Sequence, residues 1–228
     1  MSAQSASIYD GCMAWDHSRM RGAFLTLEGG EGVGKSTNVA FVATYLESRG
    51  VAVLTTREPG GTPLGETIRR WILEGDHGAL SAEVEALLMF AARAQHLEAV
   101  IRPALAAGKW VVCDRFTDAT FAYQGGGRGA DARLLDALET GVQRGLEPDL
   151  TLLLDAPPEV GRRRIASRSP DHFERERAPF FERVRRAYLD RAQRDPKRIK
   201  IIDASAELER VQDDMIRELN VVLEAFGR

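Results

Sequence analysis

Apolar residues along this chain follow two alternating rhythms. Short runs rich in Leu, Val and Ile read as strands: Phe24-Leu25-Thr26-Leu27, Val51-Ala52-Val53-Leu54-Thr55-Thr56, Trp110-Val111-Val112-Cys113, residues 150–154 and Ile199-Lys200-Ile201-Ile202. The run at 150–154 is the most continuously apolar, as expected of a strand buried on both faces. Between the runs, apolar positions recur every three or four residues and predict helices. One covers 36–47, with Val39, Val42, Ala43 and Leu46 on one face and Gly50 as a stop. Others cover 64–73, 82–107 with a break near Pro103, 133–144, 159–167, 180–194 and 208–226. Five strands separated by helices imply an α/β domain over 23–228: a five-stranded parallel sheet with helices on both faces. Residues 1–22 have no such period. They also lack the basic start and apolar core of a secretory signal, so they read as a disordered leader.

The first strand runs straight into Gly29-Gly30-Glu31-Gly32-Val33-Gly34-Lys35-Ser36, which fits G-x-x-x-x-G-K-S/T and stands between a strand and a helix, where that loop must stand. Glycines let backbone N–H groups turn inward around phosphates, and the following helix adds its positive end. Lys35 then serves the β- and γ-phosphates, and the Ser36 hydroxyl can ligate Mg²⁺. Thr37 either touches the α-phosphate or only continues the helix. GTPases, motor ATPases and small-molecule kinases all use such a loop, so the rest of the chain must decide among them.

In an open parallel sheet, ligands bind at the carboxyl ends of the strands. Asp114-Arg115 ends the third strand, giving a carboxylate for Mg²⁺ and a guanidinium for a second phosphate group. That pairing suggests two anions facing each other, a donor and an acceptor, and the Asp-x-x-Gly expected of a GTPase is absent here. Arg57-Glu58-Pro59-Gly60-Gly61-Thr62 ends the second strand at the same edge. Thr120 and Gln124 lie one helical turn apart, suited to hydrogen-bonding the edge of a base, and Tyr123 offers a flat wall. Arg162-Arg163-Arg164 and Arg168, followed by Arg175 and Arg177, form either a solvated helix face or a basic flap that closes over phosphates. Arg183, Arg185 and Arg186 read as ordinary surface charges.

Composition narrows the classes. Lys plus Arg total 31 against 34 for Asp plus Glu, a formal net charge of −3, which argues against a basic nucleic-acid coat. No apolar run approaches the roughly 18–20 residues of a membrane span. Two cysteines cannot form a disulfide framework, and a reduced, cytoplasmic protein is expected.

Taken together, residues 29–36, 57–62, 114–116, 122–129 and Pro148-Asp149-Leu150 resemble the bacterial thymidylate kinase family over about residues 23–226. The resemblance implies the P-loop nucleoside monophosphate kinase fold with an Arg-rich lid at about 158–178. It also implies ATP with Mg²⁺ as donor, dTMP as acceptor, dTDP as product on the way to dTTP, and a homodimer. Residue by residue, Glu31 resembles the acid near the sugar 3′-hydroxyl, and Glu58, before Pro59, resembles the acid facing the acceptor phosphate and the metal held by Ser36 and Asp114. Arg69 and Arg115 resemble the acceptor-phosphate arginines, and Arg93 the one that bonds a thymine carbonyl. Thr120 and Gln124 resemble the base-reading pair, and Tyr123 the aromatic that crowds the 2′ position. Two departures stand out. Where the family usually stacks a Phe on the base, this chain has Met89, with Phe90 next and about 100° away around a helix. The far flap reads Asp171-His172 rather than Asp-Arg. With no Arg in the loop itself, the resemblance draws the catalytic arginine from the flap, at Arg164 or Arg168, to work beside Lys35 and Arg115. From the residues alone, another nucleoside monophosphate or deoxynucleoside kinase, or a non-catalytic P-loop switch, remains open.

Overall fold

Alternating short apolar runs with amphipathic stretches leaves the chain one economical solution, a sheet covered on both faces. The computed structural model describes residues 21–74, 80–165, 173 and 176–228. The strands are β1 (Phe24–Gly29), β2 (Val53–Arg57), β3 (Trp110–Asp114), β4 (Leu150–Asp155) and β5 (Ile199–Asp203). They pair in parallel in the order β2-β3-β1-β4-β5. All six residues of β1, the central strand, are buried.

Alternation sorts side chains to two cores. Leu25, Leu27, Val112, Leu152 and Leu154 face α1 (Lys35–Ser48) and α9 (Leu208–Ala225), packing on Val42, Leu46, Met215 and Leu219. On the other face Phe24, Val111 and Cys113 pack on Leu97, Ile101 and Leu105. There Leu153 and Ile199 meet Phe181, Val184 and Tyr188 of α8 (Ala178–Arg194). The polar members of this second face are paired: Thr26 and Thr151 share a hydrogen bond of 2.7 Å. At the lower edge, Asp149 receives both arms of Arg21 at 2.8 Å and the Phe24 backbone N–H at 2.7 Å, which ties the start of β1 to the start of β4.

Two local departures from the expected pattern occur. The stretch expected as one helix broken at Pro103 is α3 (Ala82–His96), a wider π turn (Leu97–Ile101) and α4 (Arg102–Ala106), so the break precedes the proline. Pro103 has no N–H and its ring crowds the carbonyl of residue 99, which the widened turn contains. The segment after β3 forms a short α5 (Thr117–Thr120) that widens into a second π turn (Phe121–Gly127), closed by the Arg128 N–H donating to the Tyr123 carbonyl at 2.9 Å. The remaining helices are α2 (Pro63–Glu74), α6 (Ala132–Gln143) and α7 (Pro158–Ile165). Buried Asp118 on α5 accepts from Arg191 and, at 2.7 Å, from Arg198, which locks α8 and the start of β5 against α5. Arg185 and Arg183, expected as plain surface charges, act as braces: Arg185 grips Asp155 with two 2.8 Å bonds and Arg183 donates to the Gly127 carbonyl. No helix among the described residues is long and apolar enough to cross a membrane.

Candidate active site

Parallel strands put every carboxyl end on one edge, and that edge carries the chemistry. In the loop after β1, Gly29, Gly32 and Gly34 have φ of 135°, 68° and 90°, conformations that side chains with a Cβ rarely adopt. Val33 turns inward to the core, anchoring the loop. Lys35 is buried, and its ammonium donates to the Gly30 carbonyl at 2.6 Å and the Gly29 carbonyl at 3.2 Å. Burial, reinforced by the nearby Arg115, lowers its pKa to about 8. Ser36 donates to the Asp114 carboxylate at 3.4 Å, so the first helical hydroxyl and the end of β3 meet. Lys35, Ser36, Thr37 and Asp114 line a cavity of about 480 Å³ together with Arg164 of α7, whose guanidinium also donates to the Ala204 carbonyl. Gly29 and Gly30 form the back of the loop, and Gly32 and Gly34 face this cavity.

Arg115 stands at the centre. Its backbone is left-handed (φ 69°), and its N–H donates to the Leu27 carbonyl at 3.0 Å. The guanidinium donates to the Gly29 carbonyl at 2.8 Å, to Glu31 at 2.5 Å and to the hydroxyls of Tyr123 (3.0 Å) and Tyr188 (3.1 Å). Burial disfavours its charge, but these oxygens hold its pKa well above the guanidinium norm. Tyr188 donates onward to Glu28 at 2.8 Å. Glu28 is wholly buried, which pushes its pKa up to about 7.

A second cavity of about 100 Å³ opens beside the first and shares Glu31, Glu58, Arg69 and Arg115 with it. Pro59, Met89, Arg93, Thr120, Tyr123 and Gln124 line it. Arg69 donates to the Pro59 carbonyl at 3.2 Å; burial, and then the neighbouring Arg57, lower its pKa. Arg93 donates to Glu58 at 2.7 Å and to Thr120 at 3.0 Å, while its Nη1, also buried, has no partner among the described residues. Gln124 hands its amide N–H to buried Glu85 at 3.1 Å.

One expectation needs correction. Phe90 does not line the second cavity; Met89 does. The 100° step around α3 turns Phe90 toward Ala86, Ala130 and Leu135, where its ring supports the Arg93 guanidinium at 4.6 Å. Glu58, expected beside Ser36 and Asp114 at the metal, lines both cavities. Its Oε2 accepts from Arg93 and its Oε1 from His96 at 2.9 Å, so the buried carboxylate is spoken for. Arg168, Asp171, His172 and Arg175 lie outside the described residues. Sequence reading missed Phe173, whose ring meets Tyr123 at 5.5 Å and whose side chain lines the second cavity. A lone aromatic within a charged flap was the available signal. It also missed His96, Glu85, Glu28 and Tyr188, which sit among ordinary helix and strand residues and carry no motif of their own.

Comparison with known proteins agrees with this geometry. A family model described as thymidylate kinase matches residues 27–215. A thymidylate kinase of Chromohalobacter salexigens is 60% identical over 209 residues, covering 90% of this chain and 99% of that protein. One from Pseudomonas putida is 56% identical over 197 residues, covering 86% and 94%. The crystal structure of thymidylate kinase from Ehrlichia chaffeensis superposes with a TM-score of 0.71 at 34% identity, covering 88% of this chain and 99% of that one. A phosphate loop that opens onto a second, arginine-walled cavity is what such an enzyme requires, and the chain belongs to the thymidylate kinase family.

Proposed function

We propose that the enzyme transfers the γ-phosphoryl group of ATP to dTMP, giving ADP and dTDP, with donor and acceptor lying end to end in the joined cavities. The observation that carries this reading is that Arg115 and Arg69 line both cavities, so one pair of cations faces both phosphate groups. A monophosphate has its second pKa near roughly 6, so at neutral pH its oxygen is already a nucleophile and needs no general base. The obstacle is repulsion between polyanions, and fixed cations held in place before the reaction relieve it. Lys35 exchanges its two loop carbonyls for donor phosphate oxygens, and Arg115 holds the acceptor phosphate in line. Arg164 and Arg168, in a lid at about 158–178, supply further positive charge to the transferring group.

Ser36 and Asp114 offer hard oxygens 3.4 Å apart on the wall of the donor cavity, a donor set that suits Mg²⁺. They would hold the ion, whose charge would screen the donor phosphates there.

For the base, Arg93 Nη1 is a buried donor in want of an acceptor, suited to a thymine carbonyl. Because Glu85 takes the amide N–H of Gln124, the amide oxygen is left to accept the ring N–H of thymine. Met89 packs on the ring in place of an aromatic. Tyr123, held by Glu31 at 2.7 Å, crowds the 2′ position, and Glu31 serves the 3′-hydroxyl. Leu64 and Trp71 on α2 and Val84 and Leu87 on α3 are exposed large apolar side chains, which fits a homodimer. We read the enzyme as cytoplasmic, feeding dTTP synthesis. ADP release across AMP, GMP, CMP, dUMP and dTMP tests the assignment. The rate with dTMP should exceed that with either purine by at least ~100-fold, and equal rates would overturn the reading.

A further inference from the structure

Behind the acceptor cavity runs a chain of polar side chains, half-buried at Thr56 and buried from His96 onward. The Thr56 hydroxyl meets His96 Nε2 at 2.7 Å, His96 Nδ1 meets Glu58 Oε1 at 2.9 Å, and Glu58 Oε2 accepts from Arg93 Nε at 2.7 Å. Arg93 Nη2 then donates to Thr120 at 3.0 Å. Of these, His96 and Arg93 are 0% and 2% exposed. Among the described residues, Arg93 Nη1 ends this chain without a partner. A carboxylate only accepts, so His96 Nδ1 donates to Glu58, and the Thr56 hydroxyl shares the bond at Nε2. The imidazole is satisfied at both nitrogens.

The turn after β2 is built around this ring. Gly61 has φ 72°, and a Cβ there would come 2.5 Å from His96 Nε2 and 2.8 Å from the Thr56 hydroxyl. The glycine is needed for its conformation and for the space the imidazole occupies. On the far side, the Arg93 guanidinium lies between the rings of Phe90 (4.6 Å) and Phe116 (5.0 Å), which limit it to sliding in one plane. What stops that slide is Glu58, and what holds Glu58 from behind is His96.

We propose that His96 is a positioning residue for the acceptor nucleotide. By occupying one oxygen of Glu58 it fixes the other on Arg93, and so presents Arg93 Nη1 to the acceptor base; Gly61 and Thr56 seat the imidazole for that purpose. Without His96, Glu58 Oε1 becomes an unpaired buried acceptor. The carboxylate then turns toward other donors such as Arg69, which shares its cavity, and Arg93 loses its register. The inference rests on the dTMP reading above, and it separates from a plain core role because a core role affects both substrates alike.

Steady-state kinetics on the full chain decide it. His96→Leu should raise KM for dTMP about tenfold while KM for ATP stays within about twofold and kcat within about threefold. His96→Asn, which can return an N–H near the Nδ1 position, should recover most of that loss. Thr56→Val leaves the ring but unties it, and should raise KM for dTMP by a smaller factor in the same direction. If His96→Leu does not fold, the other two variants carry the test. Unchanged dTMP affinity, equal losses for dTMP and ATP, or no advantage of Asn over Leu would overturn the inference. The parent enzyme's preference for dTMP is measured first and separately, so failure of the dTMP reading shows before any variant is made.

Discussion

Gly161 of α7 and Gly32 of the phosphate loop pack backbone on backbone. A Cβ on Gly161 would overlap the Glu31 carbonyl, and a Cβ on Gly32 would overlap the Gly161 carbonyl. Helix α7 is thereby seated directly on the glycine loop after β1. Gly32 could not be otherwise in any case, since its φ of 68° is left-handed. Gly161 is helical, so its lack of a side chain answers to the loop alone.

From this contact, Gly161→Ala should behave contrary to helix propensity. In a free helix, alanine gains about 1 kcal/mol over glycine. Here the added methyl pushes α7 off the loop, so kcat/KM for ATP should fall about tenfold or more with no gain in melting temperature. A variant that melts higher and turns over normally would contradict the seating.

Lys35→Ala and Arg115→Ala should each reduce turnover by roughly 10²–10⁴. Circular dichroism melts should show both variants folded, since neither side chain belongs to the hydrophobic clusters. Near-normal ADP release from either one would remove the residue from the reaction.

Gln124→Ala should raise KM for dTMP much more than KM for ATP. The substitution removes the 3.1 Å bond that Gln124 gives buried Glu85, so a modest fall in stability should accompany it. Equal weakening of both nucleotides would deny the base-reading role.

The lowered Lys35 pKa has a pH signature. As pH rises through about 8 the free enzyme loses this charge, so kcat/KM for ATP should decline on the alkaline side of that value. The same shift works in the opposite sense on folding. Between about 8 and the ordinary lysine pKa of 10.5 the unfolded chain binds the extra proton, so this group's contribution to stability rises with pH. Rate profiles from pH 6 to 10 at saturating dTMP, set beside Lys35→Arg, check the first sign; urea unfolding at pH 8 and 10 checks the second.

Asp114→Asn should raise the Mg²⁺ concentration for half-maximal rate about tenfold or more, while leaving dTMP binding, read by fluorescence without metal, nearly unchanged. An unaltered Mg²⁺ requirement would take Asp114 out of the metal site.

Much of this protein is written locally. The strand runs, the amphipathic spacing and the glycine loop are patterns over four to fifteen residues, each dictated by backbone period or by phosphate geometry, and the observed strands and most helices begin or end within two residues of their expected positions. Asp114-Arg115 and Arg57-Glu58 could be assigned to one edge because parallel strands have no other arrangement for their ends. Tertiary structure decided what depends on partners far along the chain. Whether Met89 or Phe90 lines the second cavity turns on which side of α3 meets α6. Glu58 is bound to Arg93 and His96, 35 and 38 residues away. Tyr188 reaches Glu28 across 160 residues to brace Arg115. Hydrogen bonds and burial of this kind have no period, so spacing cannot encode them. They exist only once the sheet has brought its strand ends together.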